Sequence, residues 1–368
     1  MSLIKRTQKK DNISKELKNL QRLKISTTNL LISIKSMAAL LKASIPLSEM
    51  VKTISEQSSD PNLNKIYAYI HKEIDRGSEL AEAMALFPKI FPQTITSVVE
   101  AGEKGGSLEK NLLYIADTIK KEYELQRKMK GAIIYPAIII SLTVVEFVGM
   151  IFVVLPKMEA LFSAFPNVPP LTVFIMNSAN LIRNNWIPIV SVLIGLALIA
   201  RLYLSTKSGK MFLSWLSLNF PILKRLFISN ILASFSRGLS VLLASGIPLA
   251  KALSISSATT SNFIYANIIK DIHKNVEEGQ NLSNSLEKHS KYFNKSFIKM
   301  IAVGEVSGTL EDNLMYLHEY YSEEVTEMSN NIVTFVEPLL LILVGVIIGL
   351  LGVTILMPIY QLMGSINA

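Results

Sequence analysis

The stretch 98-VVEAGEKGGSLEKNLLYIAD-117 returns, slightly altered, as 300-MIAVGEVSGTLEDNLMYLHE-319. Gly102, Glu103, Gly106, Leu108, Glu109, Asn111, Leu112 and Tyr114 reappear as Gly304, Glu305, Gly308, Leu310, Glu311, Asn313, Leu314 and Tyr316, each 202 positions later. The same offset carries Ile45-Pro46-Leu47 to Ile247-Pro248-Leu249, Ile70-His71-Lys72 to Ile272-His273-Lys274, and Gly77 and Leu80 to Gly279 and Leu282. It also carries Phe91 to Phe293 and Pro136 to Pro338. No insertion separates these matches, so the chain is one unit made twice.

Each unit reads as helices. Leu108, Leu112, Ile115 and Ile119 fall at i, i+4, i+7 and i+11, one face of a 3.6-residue helix, and Leu310, Leu314, Leu317 and Tyr321 repeat that face. Pro46 and Pro248 suit a first helical position. Gly77-Ser78, Asp60-Pro61, Phe87-Pro88 and Gly279 mark breaks. The punctuation predicts six helices near 28–43, 46–58, 61–75, 79–86, 92–103 and 108–130, with shifted equivalents in the second half. The opening stretch then becomes a corner between two helices. Gly105-Gly106 and Ser307-Gly308 allow positive φ, Ser107 and Thr309 are placed to cap the next helix, and Glu109 and Glu311 lie where the helix dipole favours an anion. Turn chemistry leaves Glu103 and Glu305 unexplained. They are either surface carboxylates or carboxylates ion-paired within a unit, or else contacts to a partner or to the other unit.

Half the residues are hydrophobic and mean hydropathy is +0.37. Three segments are long and apolar enough for a bilayer: 132–155 with the single charge Glu146, 186–204 with Arg201 near its end, and 338–357 with none. Residues 1–131 carry 22 Lys and Arg and residues 205–331 carry 12, against two in 156–185 and none in 358–368. The positive-inside rule therefore places both large segments in the cytoplasm.

The predicted fold is all-α: a polytopic membrane protein with two repeated cytoplasmic six-helix bundles and three transmembrane helices. Its expected divisions are a basic arm 1–25, a first bundle 26–131, a span 132–155, an extracytoplasmic loop 156–185, and a second span 186–204. A second bundle 205–331, a third span with its lead-in 332–357, and an extracytoplasmic tail 358–368 complete it. The first 30 residues hold no apolar h-region or cleavage site, so no cleavable signal peptide is expected.

Chemistry is absent from the pattern. With no cysteine there is no disulfide, Cys zinc site or Cys nucleophile. No GxxxxGK[ST], HExxH or GxSxG occurs, and His71 and His273 are repeat-related, as structural positions would be. No catalytic residue, cofactor or metal is expected, and the chain reads as a non-enzyme. In the membrane, Glu146 is a costly carboxylate that needs protein, water or a partner's membrane helix around it. Gly345 and Gly349 form a GxxxG suited to close helix packing.

The duplicated LLxAGIPL-like, GxxL and GExxGxL motifs, each unit ending at a Pro-led span, resemble the type II secretion F domain family. The resemblance covers nearly all the chain after about residue 25, and the stretch 156-PKMEALFSAFPNVPPLT-172 is similar to the family's external connection. Departures are Ser44 for the usual Gly of the first AGIPL, and Lys104-Gly105 in the first GExSG. The resemblance implies an inner-membrane platform of a type IV pilus, a type II secretion system or a competence pseudopilus. It would engage a hexameric assembly or secretion ATPase, other inner-membrane assembly proteins and pilin-like subunits, as a homo-oligomer. In that picture Gly102–Glu109 and Gly304–Glu311 shape partner-facing corners, and Glu146 meets a pilin-like helix within the membrane. A repeat-built small-molecule transporter is the more remote reading. The run Lys5, Arg6, Lys9, Lys10, Lys15, Lys18, Arg22 and Lys24 raises nucleic acid, against which a solvated arm or an inner-leaflet contact is the simpler reading, so no nucleic-acid partner is expected.

Overall fold

The computed structural model describes residues 16–162, 170–219 and 224–366. Among them there is no strand. The first repeat contains α1 (Thr27–Lys42), α2 (Leu47–Gln57), α3 (Pro61–Ile74), α4 (Leu80–Ala85), α5 (Gln93–Gly105) and α6 (Leu108–Gly149). A π-turn (Met150–Val154) and α7 (Leu155–Phe162) follow, then α8 (Pro170–Asn184), α9 (Trp186–Ser205) and α10 (Lys207–Asn219). The second repeat contains α11 (Lys224–Ala244), α12 (Leu249–Thr259), α13 (Phe263–Glu277), α14 (Leu282–Glu287), α15 (Lys295–Ser307) and α16 (Leu310–Ile366).

The described residues of Met1–Arg127 and Ser214–Val325 gather into one compact unit, and those of Lys128–Leu213 and Thr326–Ala368 into another. Both bundles thus belong to the first unit.

Helix starts follow local chemistry. Pro61 opens α3 behind Asp60, whose carboxylate accepts from the Asn62 and Leu63 N–H groups. Pro61 has no proline counterpart in the second repeat, where Phe263 stands; there Asn262, the counterpart of Asp60, takes the capping role, accepting from the Ile264 and Tyr265 N–H groups. Pro46 and Pro248 stand one residue earlier than expected, at the N-cap rather than the first helical position. The all-helical core follows from spacing. Met50, Val51 and Ile54 of α2 and Leu63, Ile66, Tyr67 and Ile70 of α3 are buried, each contributing on the order of 1.5–3 kcal/mol. The Tyr67 hydroxyl lies 2.9 Å from that of Ser33 on α1. In the second repeat the core is more aromatic: Phe235 packs against Phe293 and Phe297, and Phe293 against Tyr265.

Among the described residues three helical stretches are long and apolar enough to cross a membrane: Ala137–Ala160, Trp186–Ser205 and Lys224–Ala244. The first two are almost wholly unburied, as lipid-facing helices would be. Two-thirds of the apolar window in the third is buried, because that helix is α11, the centre of the second bundle. The expected span 338–357 lies within α16, where Leu341, Ile342, Val346 and Ile348 are exposed.

Two local expectations change. The bundle helix near 108–130 and the span at 132 are one helix, since α6 continues through Pro136. The connection 156–185, expected as a loop, is largely helical where it is described. There α7 and α8 join through Ile151, Leu155 and Ala179, and Glu159 accepts from Asn180 (2.8 Å) and Arg183 (3.3 Å). The 4- and 3-residue spacing of Ile175, Ala179 and Ile182 gives α8 the apolar stripe for that contact. The basic arm lies outside the described residues up to position 15, as do 163–169 of the external stretch.

Candidate functional site

The repeated corner is built alike in both copies. Gly106 and Gly308 take φ of 65° and 73°, ending α5 and α15 in the left-handed region. The Gly102 carbonyl accepts from the Gly106 and Ser107 N–H groups, and the Gly304 carbonyl from those of Gly308 and Thr309. A Cβ on Gly102 would stand 2.9 Å from Leu108 Cα, and one on Gly304 2.9 Å from Leu310 Cα. Each glycine therefore lets the next helix cross in backbone contact. The Asn111 amide donates to the Val98 carbonyl (2.9 Å) and the Asn313 amide to that of Met300 (3.1 Å), tying the two arms of each corner.

Glu103 and Glu305 acquire the structural role that turn chemistry alone does not give them. The Leu80 and Ala81 N–H groups donate to the two oxygens of Glu103, at 2.7 and 2.8 Å. The Leu282 and Ser283 N–H groups do the same for Glu305. Each carboxylate caps the short helix of its own repeat, α4 or α14, from 22 and 23 positions away. Burial pushes the Glu103 carboxyl above its ordinary range, and the two N–H donors pull it back.

The repeats meet along α5 and α6 on one side and α11 and α12 on the other. Arg237 of α11, 3% exposed, is ion-paired with Asp117 of α6. Its guanidinium also donates to Thr118 Oγ1 (3.3 Å) and reaches Met315 Sδ (2.8 Å). Lys251 of α12 stands 3.9 Å from Glu100 of α5, whose carboxyl is lowered by the Lys104 hydrogen bond and, further, by Lys251.

Between these helices lies a cavity of about 300 Å³. Ile95, Ile119, Ile231 and Phe235 supply apolar wall, and Glu122 and Ser256 are among its polar groups. Apolar crowding pushes the Glu122 carboxyl up and Arg237 draws it down, while the residue as a whole is exposed at the cavity's edge. No group of three or more His, Cys, Asp or Glu side chains able to hold a metal occurs among the described residues.

The other expected positions lie elsewhere. Glu146 is exposed on α6. A Cβ on Gly345 or Gly349 would meet nothing within 4 Å, so these glycines are not used for packing among the described residues. Sequence reading missed Asp117, Glu122 and Arg237. The available signal was the 202-residue offset itself, which pairs Glu122 with Glu324.

Two helical bundles of one design, each passing into an apolar helix, define a repeat-built helical membrane protein. The family described as Type II secretion system (T2SS), protein F matches residues 33–156 and again 235–358, and the chain belongs to that family. It is 29% identical over 344 residues to a type IV pilus assembly protein PilC of Pseudomonas aeruginosa, covering 92% of this chain and 91% of that one. It is 26% identical over 340 residues to a PilC of Thermus thermophilus, covering 92% and 84%. A type II secretion system protein F of Aeromonas hydrophila is 28% identical over 344 residues, covering 93% and 88%.

Proposed function

We propose that this chain is a non-enzymatic platform of the cytoplasmic membrane, coupling a hexameric assembly ATPase to the assembly of pilin-like subunits into a type IV pilus. One observation carries the reading: α6 and α16, the last bundle helix of each repeat, run on without interruption into apolar sequence. A displacement imposed on the bundles therefore has a helical route to the bilayer in each repeat. The names of the Pseudomonas and Thermus relatives support the pilus, while the Aeromonas protein F supports a secretion platform as the second reading.

In this reading the bundles 26–131 and 205–331 are cytoplasmic, the 156–185 connection and the tail 358–368 are outside, and the N-terminus is inside. The charge asymmetry of these segments supports that orientation. The corners at Gly102–Glu109 and Gly304–Glu311 face partners, which the exposure of Val306 in the second corner supports. Glu146 meets a pilin-like helix, and Gly345 and Gly349 pack against another copy. Exposure of Glu146 and the open space beside both glycines support these two contacts.

The test is a deletion strain complemented with wild-type protein or with a chain carrying Gly-Gly-Ser inserted after Lys130. Loss of surface filaments on deletion, unrestored by the insertion at normal protein level, is expected. Loss of secreted enzymes with filaments intact would favour the secretion platform. Loss of solute uptake with both processes intact would replace this reading with a transporter.

A further inference from the structure

Glu122 and Glu324 occupy the same position in the two repeats, on α6 and α16. Glu324 is fully engaged: Arg225 donates from Nε at 2.7 Å and Ser229 from its hydroxyl at 2.6 Å. The residues 202 positions before those donors are Leu23, which cannot pair with a carboxylate, and Thr27. Glu122 has no hydrogen bond or ion pair to a described residue and lines the cavity between the repeats instead. The nearby Arg237 is ion-paired with Asp117 rather than with Glu122, which sits exposed at the edge of the cavity. Across the cavity Ser256 is 4% exposed, and its hydroxyl has no partner among the described residues. Buried hydroxyls ordinarily find one.

We propose that this cavity binds an alkylammonium group, an organic cation with a short apolar stem. A volume of about 300 Å³ suits a small ligand or one long side chain. Glu122 supplies the counter-charge, Ser256 a second polar contact, and Ile95, Ile119, Ile231 and Phe235 the surface for the stem. Among the described residues no Lys, Arg or His lines the cavity, which disfavours an anion. A divalent metal would require more charged oxygen ligands than one carboxylate. Because the walls come from both repeats, an occupant touches α5 and α6 as well as α11 and α12 and holds them together. The same chemistry is offered by a free amine and by a lysine side chain of a partner protein.

The experiment is thermal unfolding of the full-length protein in nanodiscs, titrated at constant ionic strength with n-butylammonium, N-acetyl-lysine methylamide, n-butanol or n-butyrate. A saturable rise in the unfolding midpoint with at least one of the two cations, and not with butanol or butyrate, is expected. A rise with the lysine amide identifies a site that accepts a partner's lysine, and a rise with butylammonium alone identifies one for a free amine. Glu122→Gln should abolish the rise, and so should Ser234→Leu, which fills the cavity while keeping the carboxylate. No saturable rise with either cation, or an equal rise in Glu122→Gln, would overturn the proposal.

Discussion

Arg237 of the second repeat is buried against Asp117 of the first, 120 positions earlier in the chain. This pair fastens two copies of one unit together. Removing Asp117 leaves a buried guanidinium with Thr118 and Met315 as its hydrogen-bond contacts and no ion pair. Asp117→Ala should therefore destabilise the protein by about 2 kcal/mol. That is below the ~3–5 kcal/mol of a fully buried pair, because the carboxylate is half exposed. Arg237→Met with Asp117→Asn should recover most of the loss. Denaturant unfolding of the three proteins checks this, and an Asp117→Ala variant as stable as wild type would refute it.

The corner carboxylates are caps. Glu103→Ala strands the Leu80 and Ala81 N–H groups and should cost about 1–3 kcal/mol. Glu103→Gln, which keeps one acceptor oxygen, should cost less. Hydrogen exchange at Leu80 and Ala81 should accelerate before that at the buried Leu63 and Ile66. The corresponding change at Glu305 should act on Leu282 and Ser283. Unchanged exchange at these amides would show that the cap contributes nothing.

Ser44 has φ of 59°, whereas Gly246, at the equivalent place in the second repeat, has φ of 80°. The first repeat thus carries a left-handed serine where the second uses glycine. Such a conformation costs a non-glycine residue roughly 1 kcal/mol, partly offset by the greater chain entropy glycine loses. Ser44→Gly should raise stability by up to about 1 kcal/mol, and Gly246→Ser should lower it by a similar amount. Thermal midpoints moving in the same direction would contradict this.

His318 is 3% exposed, with Nδ1 3.0 Å from the Ala233 carbonyl. Burial holds its pKa below the ordinary 6.5, the Ala233 hydrogen bond opposes that, Arg237 and Lys121 add to the lowering, and Glu319 opposes it. The unfolded chain therefore binds the proton more readily. The stability contributed by neutral His318 is complete above pH 6.5 and is lost as pH falls from there through the lowered folded-state value. Unfolding free energy measured from pH 7.5 to 5 should fall, and His318→Gln should flatten that part of the slope. An identical slope in the variant would count against it.

Local signals made the helices legible. The i, i+4 spacing of Leu108 and Leu112, the proline after Asp60 and the glycine at 106 act within one or two turns, so sequence alone carries them. Glu103 was not legible as a cap because its donors lie 22 and 23 residues away, across a loop and another helix. Arg237 looked like one more cytoplasmic cation. Its burial depends on how the two repeats pack, which no periodicity encodes. Apolar composition also has a limit: α11 has the length and hydropathy of a span, yet its apolar residues are the bundle's own core.

The unbroken course of α6 makes its far half a continuous rod. From Arg127, where the first unit ends, to Gly149 the helix rises about 33 Å at ~1.5 Å per residue. Tilting that length by about 10° sweeps its far end through about 6 Å, close to the ~5.4 Å pitch of one helical turn. Because no break interrupts α6, even at Pro136, a tilt at one end of this helix is carried undiminished to its other end.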